Sequence, residues 1–325
     1  MDTRRLSYFT CILEEGSITA AAQRLRLSQP TLTKAMKLLE DEFGVILFER
    51  SMMGITPTSY GEALYKRAKA ILSDMQRAQE EIATLRGLAG EHCRIGALPT
   101  VMGNVVANAV NEISRRFPAL KFYIQEGQTQ ALVRALRRRE LDLVLVYRSN
   151  LIGEHTFAAH MLFCDRLAVV AGARHPLVGR TLVTVADLAP YPWCTAGNGN
   201  WPCIEQMFRS EGIEPHEPRV DPGGAFHFVK GLVGASEYLT VLPQHAVAAE
   251  IARGELFVLP IKSVSLNRTI VALQSKEVEL PAYGRALLAA ISRAAQALHA
   301  ENTPSHTLLD LQEADLGSER WYARR

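Results

Sequence analysis

The chain has 325 residues, 48% of them hydrophobic and 22% charged, with a formal net charge of +2 at pH 7. That length predicts two domains or more, and so even a charge balance cannot by itself announce a nucleic-acid partner. The five cysteines (Cys11, Cys93, Cys164, Cys194, Cys203) are odd in number and scattered. They read as reduced structural thiols in a cytoplasmic protein, not as a disulfide framework. No basic-then-apolar leader opens the chain, and no run of about 18 uncharged apolar residues occurs, so neither a signal peptide nor a membrane span is expected.

Leu6, Phe9, Ile12 and Leu13 mark a first amphipathic helix that stops near Gly16. Ser17 caps a second, "SITAAAQRL", whose Ala20, Ala21 and Ala22 suit a close helix crossing. After a short turn, "SQPTLTKAMKLLEDEFG" opens a third. Ser28 is a good N-cap, Pro30 fits the first turn, and Gly44 is a natural stop. Leu32, Met36, Leu39 and Phe43 recur at spacings of four, three and four, which makes one apolar stripe. Gln29, Thr31, Thr33 and Lys34 crowd the leading turn off that stripe, a set a plain surface helix does not need. Two short helices joined by a tight turn, the second with a polar leading end, form the helix-turn-helix pattern. "VILFERSMMGITPTSYG" then predicts two short strands around Met52-Met53-Gly54, a wing.

A long helix follows from Ser59 to about Leu88. Leu64, Ala68, Ile71, Met75, Ala78, Ile82 and Leu85 alternate in steps of four and three, an unbroken a/d seam. Such a seam predicts a partner helix, most simply a second copy. The competing reading is that it packs on the chain's own core.

Beyond Gly87 and Gly90 strands and helices alternate. "CRIGAL", "LKFYIQEG" and the continuously apolar "LDLVLVY" are separated by "VMGNVVANAVNEISRRFP" and "TQALVRALRRRE", which predicts a parallel sheet buried on both faces. A second series starts near Cys164 and ends with the helix "YGRALLAAISRAAQALH". Two α/β halves joined by crossing strands place a cleft at the strand C-terminal ends. Residues 301–325 are polar and weakly patterned, and are expected to be a tail or a packing arm.

Together these residues resemble the LysR-type transcriptional regulator family. The resemblance is carried by Gly16-Ser17, Ala21-Ala22, Ser28-Gln29-Pro30, Leu39-Glu40, Gly44, Leu47-Phe48-Glu49-Arg50, Thr58 and Gly61. It extends more weakly to about residue 300 through "GQTQALVRALRRRELDLVLVY" and "GASEYLTVLP". Three positions depart from the family's pattern: Met53 replaces a second wing arginine, Arg139 a glycine, and "GASEYLTVLP" a glycine-rich run. The resemblance implies an α/β protein with an N-terminal winged helix-turn-helix, a long linker helix and a two-subdomain effector-binding domain like a periplasmic binding protein. The expected bounds are 1–58, 59–88 and 89–300, with subdomain I at about 91–162 and 266–300, subdomain II at about 163–265, and a 301–325 tail.

The polar leading end then acquires a use. A helix N-terminus presents free N–H groups and the positive end of its dipole to phosphate. Gln29 suits an adenine edge, Thr31 and Thr33 suit phosphates or thymine methyls, and Lys34 suits guanine or phosphate. Ser28 and Pro30 complete that end, Lys37 reaches backbone one turn on, and Arg50 anchors the wing. Dimerisation through the long helix predicts an inverted-repeat operator on double-stranded DNA, bound by a dimer or a tetramer, with RNA polymerase as a further contact.

By resemblance, a small-molecule effector occupies the cleft. Its walls are Pro99, Thr100, Val101, Gln128, Thr129 and Tyr147 on one side. Ala196, Asn198, Gly224 and Phe226 form the other, with Trp201 as an additional aromatic. Helix starts after Pro99 and Gly127 favour an anion, so a small organic acid, carboxylate or aromatic, is expected.

Catalysis has little support. No G-x-G-x-x-G, P-loop or G-x-S-x-G occurs, no paired carboxylates mark the cleft, and no cofactor or catalytic residue is assigned. Cys194 and Cys203 are nine residues apart, as in peroxide-sensing relatives, but neither has a flanking cation to lower its pKa. His155, His160, His216, His227 and His245 form no metal-spaced cluster.

Overall fold

The structure, a computed structural model, describes residues 2–51, 54–85, 91–148, 156–195, 201–261 and 266–302. It divides into two compact units. The first comprises Met1–Ile95, Pro118–Ile124 and Gln130–Val144, and the second Gly96–Phe117, Gln125–Thr129 and Leu145–Arg325.

The first unit opens with α1 (Thr3–Glu15), α2 (Ile18–Leu25) and α3 (Gln29–Phe43). The second and third helices start on the caps the sequence predicts, Ser17 accepting from the Ala20 N–H and Ser28 from that of Thr31, while Asp2 caps the first by accepting from the Arg4 N–H. Leu6, Phe9, Ile12, Leu32 and Leu39 are completely buried in one core. Each such side chain contributes about 2 kcal/mol. The wing is the hairpin β1 (Phe48–Ser51) and β2 (Gly54–Pro57), paired antiparallel. It is pinned at both ends, because the Leu47 N–H donates to Glu40 Oε1 at 2.8 Å and Ile55 N–H to the Gly16 carbonyl at 3.0 Å. Gly61 is required where α4 (Ser59–Leu85) leaves the wing, since a Cβ there would stand 1.9 Å from the Leu47 carbonyl oxygen.

The seam of α4 divides in two. Ala68 is completely buried, and Leu64 and Ile71 pack on the same core as α1–α3. Met75 and Ile82 are 39% and 58% exposed. The first half therefore follows the competing own-core reading, and only the second half stays open to a partner. Residues 86–90 lie outside the described ones.

The same unit carries parts of β3 (His92–Ala97), β4 (Lys121–Glu126) and β5 (Leu143–Tyr147), in the order β4-β3-β5, and α7 (Thr129–Arg137). Charged groups tie α4 to the turn after α7. Lys69 Nζ stands 2.9 Å from carboxylate oxygens of both Glu14 and Glu140, and Arg77 stands 2.6 Å from Asp142.

In the second unit the strand order is β3-β5-β9-β6-β7, with β8 also on β6. Here β6 is Phe157–Gly172, β7 Thr240–Pro243, β8 Leu256–Val258 and β9 Leu266–Ser275. The sheet is not purely parallel as expected, because β6 runs antiparallel to β7, β8 and β9. One unbroken 16-residue strand spans what the sequence divides near Cys164, and it ladders with β9 from Phe157 to Leu167. An antiparallel return needs no crossover helix, so these two long strands replace a βαβ step.

The predicted single helix after β3 is also interrupted. A short α5 (Pro99–Val101) gives way to a π-turn at Met102–Val106, then to α6 (Ala107–Arg116). The remaining helices are α8 (Val185–Leu188), α9 (Trp201–Ser210), α10 (Phe226–Ala235), α11 (Ala248–Ala252) and α12 (Ala282–Asn302). Among the described residues no helix is long and apolar enough to cross a membrane, and no three-residue cluster of metal-binding type occurs.

Candidate functional site

The leading end of α3 is presented outward. Leu32 and Met36 are buried, while Ser28, Gln29, Pro30, Thr31, Lys34 and Lys37 are exposed and Thr33 is half-buried. The Ser28 oxygen is committed locally, accepting from the Thr31 N–H at 3.3 Å and sharing a 2.7 Å hydroxyl contact with Thr31 Oγ1. Gln29, Lys34 and Lys37 make no ion pair or side-chain hydrogen bond with the described residues. Two unpaired cations and a free amide on one exposed helix face match what a duplex asks of a recognition helix. The Arg50 side chain lies outside the described residues, as do Met52 and Met53. One exposed cation escaped the sequence reading: Arg26 terminates α2 with φ 56°, in the turn directly before α3. Nothing in its composition marks it out.

The effector candidates that are described all fall in the second unit. Thr100 stands in α5, at the end of β3, and Thr129 at the head of α7, and both are buried. Among the described residues the Thr129 hydroxyl has no hydrogen-bond partner. Gln128 Nε2 donates to the Gly223 carbonyl at 2.9 Å, which brings Gln128 beside Gly224. Only glycine fits at 224, where φ is 101° and a Cβ would lie 2.5 Å from Gln128 Nε2.

Tyr147 ends β5. Burial pushes its phenol pKa upward, Arg268 opposes that, and Asp165 adds to it, so the phenol remains protonated at neutral pH. The Arg268 guanidinium stacks over the Tyr147 ring with its carbon 3.9 Å from the centroid.

Other expected wall residues behave as core. Val101 is fully buried, and Phe226 packs with Val229, Val233 and Leu242, with Lys230 5.1 Å from its ring centroid. Ala196 and Asn198 lie outside the described residues. A groove of about 670 Å³ elsewhere in the unit, between β6, β9 and α12, includes none of the expected effector residues.

Three polar groups near these positions were not anticipated: Arg268, the buried Thr195 whose hydroxyl has no partner among the described residues, and a buried Asp165–His245 pair. Arg268 and Asp165 face one another across the β6–β9 ladder, a register no local pattern reveals. Burial pushes the Cys194 thiol up to about 11. It also raises Cys203, against the lowering influence of Arg268. Both are protonated at neutral pH, which disfavours thiolate chemistry.

The comparisons agree in kind with this arrangement. Residues 3–62 match the family described as "Bacterial regulatory helix-turn-helix protein, lysR family", and residues 86–296 match "LysR substrate binding domain". The chain is 29% identical over 265 residues to the HTH-type transcriptional regulator PcaQ of Agrobacterium fabrum, covering 80% of this chain and 84% of that one. It is 28% identical over 278 residues to the DNA-binding transcriptional dual regulator OxyR of Escherichia coli K12, covering 83% and 88%. The crystal structure of CbnR, a LysR family transcriptional regulator, aligns with a TM-score of 0.67 at 20% identity, over 91% of this chain and 99% of that chain.

Proposed function

Since this chain belongs to the LysR family of DNA-binding transcriptional regulators, with a substrate-binding domain, we propose how its residues divide the work. Residues 1–58 read an inverted-repeat operator, 59–88 join copies into a dimer or tetramer, and 89–300 bind a small organic acid that modulates binding and contact with RNA polymerase. Residues 303–325 lie outside the described ones.

The observation that carries the reading is the exposed leading face of α3, on which Gln29, Lys34 and Lys37 are unpaired among the described residues. Ser28, Gln29, Pro30, Thr31, Thr33, Lys34 and Lys37, with Arg50 in the wing, form the DNA contact. Lys34 and Lys37 supply charge, and Gln29 supplies base discrimination. The open half of the α4 seam supports assembly through Met75, Ala78 and Ile82.

For the effector, Thr100, Gln128, Thr129 and Asn198 are hydrogen-bonding groups, Tyr147 a phenolic donor, and Pro99, Val101, Ala196, Gly224 and Phe226 the enclosing wall. The buried Thr129 hydroxyl, without a partner among the described residues, at the head of the nine-residue α7 supports an oxyanion there. Coupling follows if the acid binds one arrangement of the assembled domains better than another.

A gel shift with the chain's own upstream DNA tests the first half. A retarded band at low salt is expected, and its absence on a palindromic upstream fragment contradicts the reading. A thermal-shift screen of benzoate and other aromatic and aliphatic monocarboxylates tests the second. A concentration-dependent rise that Thr129→Met abolishes is expected, and a flat response across the acids contradicts it.

A further inference from the structure

Asp165 in β6 is completely buried, and among the described residues neither of its carboxylate oxygens receives an aligned hydrogen bond. Among the described residues, His245 Nδ1 lies 3.1 Å from Asp165 Oδ1, and Arg268 is the cross-strand register partner of Asp165 on β9. His245 stands in the 3-10 turn Gln244–Val247 after β7, with its side chain only 4% exposed. Its ring meets Phe163 edge-on at 5.7 Å between centroids. Its other ring nitrogen, Nε2, lies 3.0 Å from the backbone carbonyl oxygen of Thr100.

This geometry fixes the proton count. A carbonyl only accepts, so Nε2 carries a hydrogen and donates it to Thr100. Nδ1 then has two options. It carries a second proton and faces an ionised Asp165, or it is bare and Asp165 holds the proton between them. A bare Nδ1 against an ionised Asp165 would set a lone pair 3.1 Å from a buried carboxylate oxygen, a repulsive contact that neither group could relieve by turning to water. The pair therefore shares one proton and is neutral overall.

We propose that Asp165 and His245 are positioning residues of the effector site. They tie β6 and the turn after β7 to the first turn of α5, and so hold the Thr100 backbone and aim its hydroxyl. Their shared proton also cancels a buried negative charge behind Thr100. An ionised, unpaired Asp165 there would repel a carboxylate ligand. This role rests on the reading of Thr100 as an effector contact.

Both tests use the ligand-free full chain, so their failure is separable from failure of the acid screen. Nitrogen-15 NMR of the wild-type imidazole is expected to show His245 Nε2 protonated, and an unprotonated Nε2 overturns the proposal. Hydrogen exchange then reads the α5 turn. His245→Phe, which keeps bulk but loses both nitrogens, is expected to raise amide exchange across residues 99–106 at least about tenfold. Asp165→Asn, whose amide donates to a bare Nδ1 and leaves the Nε2 hydrogen in place, is expected to stay within about threefold of wild type. Unchanged exchange in His245→Phe, or an Asp165→Asn profile like that of His245→Phe, overturns it. Should His245→Phe fail to fold, the wild-type spectrum and Asp165→Asn still decide.

Discussion

Arg139 holds a left-handed backbone at φ 58°, and its guanidinium pairs with Asp74 on the long helix α4. The turn it closes is a Schellman motif: the Glu140 N–H returns to the Ala135 carbonyl at 2.9 Å and the Arg139 N–H to Leu136 at 3.0 Å. Glycine is the usual residue at that position, because a side chain costs about 1 kcal/mol there. The Arg139 carbonyl also accepts from Ser73 Oγ at 2.5 Å and from Arg77 at 2.8 Å. These backbone contacts survive substitution and the ion pair does not. Arg139→Gly is therefore expected to leave the first unit within about 1 kcal/mol of wild type, since relief of strain offsets a partly exposed ion pair. Arg139→Val, which keeps the strain and loses the pair, should destabilise it by roughly 2 kcal/mol. Urea unfolding followed in the first unit separates the two. A Val variant as stable as the Gly variant would remove strain from the account.

The divided seam of α4 predicts two different failures. Ile82→Glu places a charge on the exposed half, so sedimentation velocity should show a smaller assembly while the far-ultraviolet spectrum is unchanged. Ala68→Glu buries a charge in the core of α1–α3 and should unfold the head. If Ile82→Glu assembles as wild type does, copies meet elsewhere.

Gly61→Ala tests the junction of wing and long helix. Its Cβ would overlap the Leu47 carbonyl, an atom fixed by the Thr58 N–H at 3.1 Å, so relaxation is blocked. A loss of roughly 2–4 kcal/mol from the head is expected in thermal unfolding. Near-neutral behaviour would mean that the wing moves freely.

Acid sensitivity has a specific source in the second unit. Lys230 Nζ stands 2.7 Å from Glu250 Oε1, with both side chains mostly buried. Burial opposes ionisation of Glu250, but Lys230 and neighbouring hydrogen bonds outweigh it and hold its pKa below the ordinary carboxylate value of 4.5. A lowered folded-state pKa contributes stability that is complete above 4.5 and lost as pH falls through the folded value. Lys230→Met should cost about 1–2 kcal/mol at pH 7. That gap should narrow below about pH 4.5. A constant gap from pH 7 to pH 3.5 would show that the pair does not titrate in that range.

Much of the head was legible in the sequence because its determinants are local. Ser17, Ser28, Gly16 and Gly44 act within one turn of themselves, and the Leu32–Met36–Leu39 stripe reports its own burial. The wing anchors Glu40, Thr58 and Gly61 carried the family resemblance without revealing their structural reason. In the α/β region the pattern located strands but not partners. Periodicity cannot say that Ala68 is buried in the core of α1–α3 while Ile82 is left exposed, since both occupy the same seam. His245 and Thr100 are 145 residues apart, and Arg268 and Asp165 meet only through a strand register. Contacts of that kind have no local signature. Phe226 shows another limit: its loop context suggested a wall residue and gave no sign that its ring also packs with Val229, Val233 and Leu242.

The central claim is that the leading turn of α3 reads a duplex. Its most direct test is fluorescence anisotropy on the upstream inverted repeat, at several salt concentrations, with wild type, Gln29→Ala and Lys34→Ala. Lys34→Ala is expected to lower the salt dependence by about one unit of slope. Gln29→Ala should cost about 1–3 kcal/mol and relax preference at one base pair. Affinity and salt slope unchanged in both variants would contradict it.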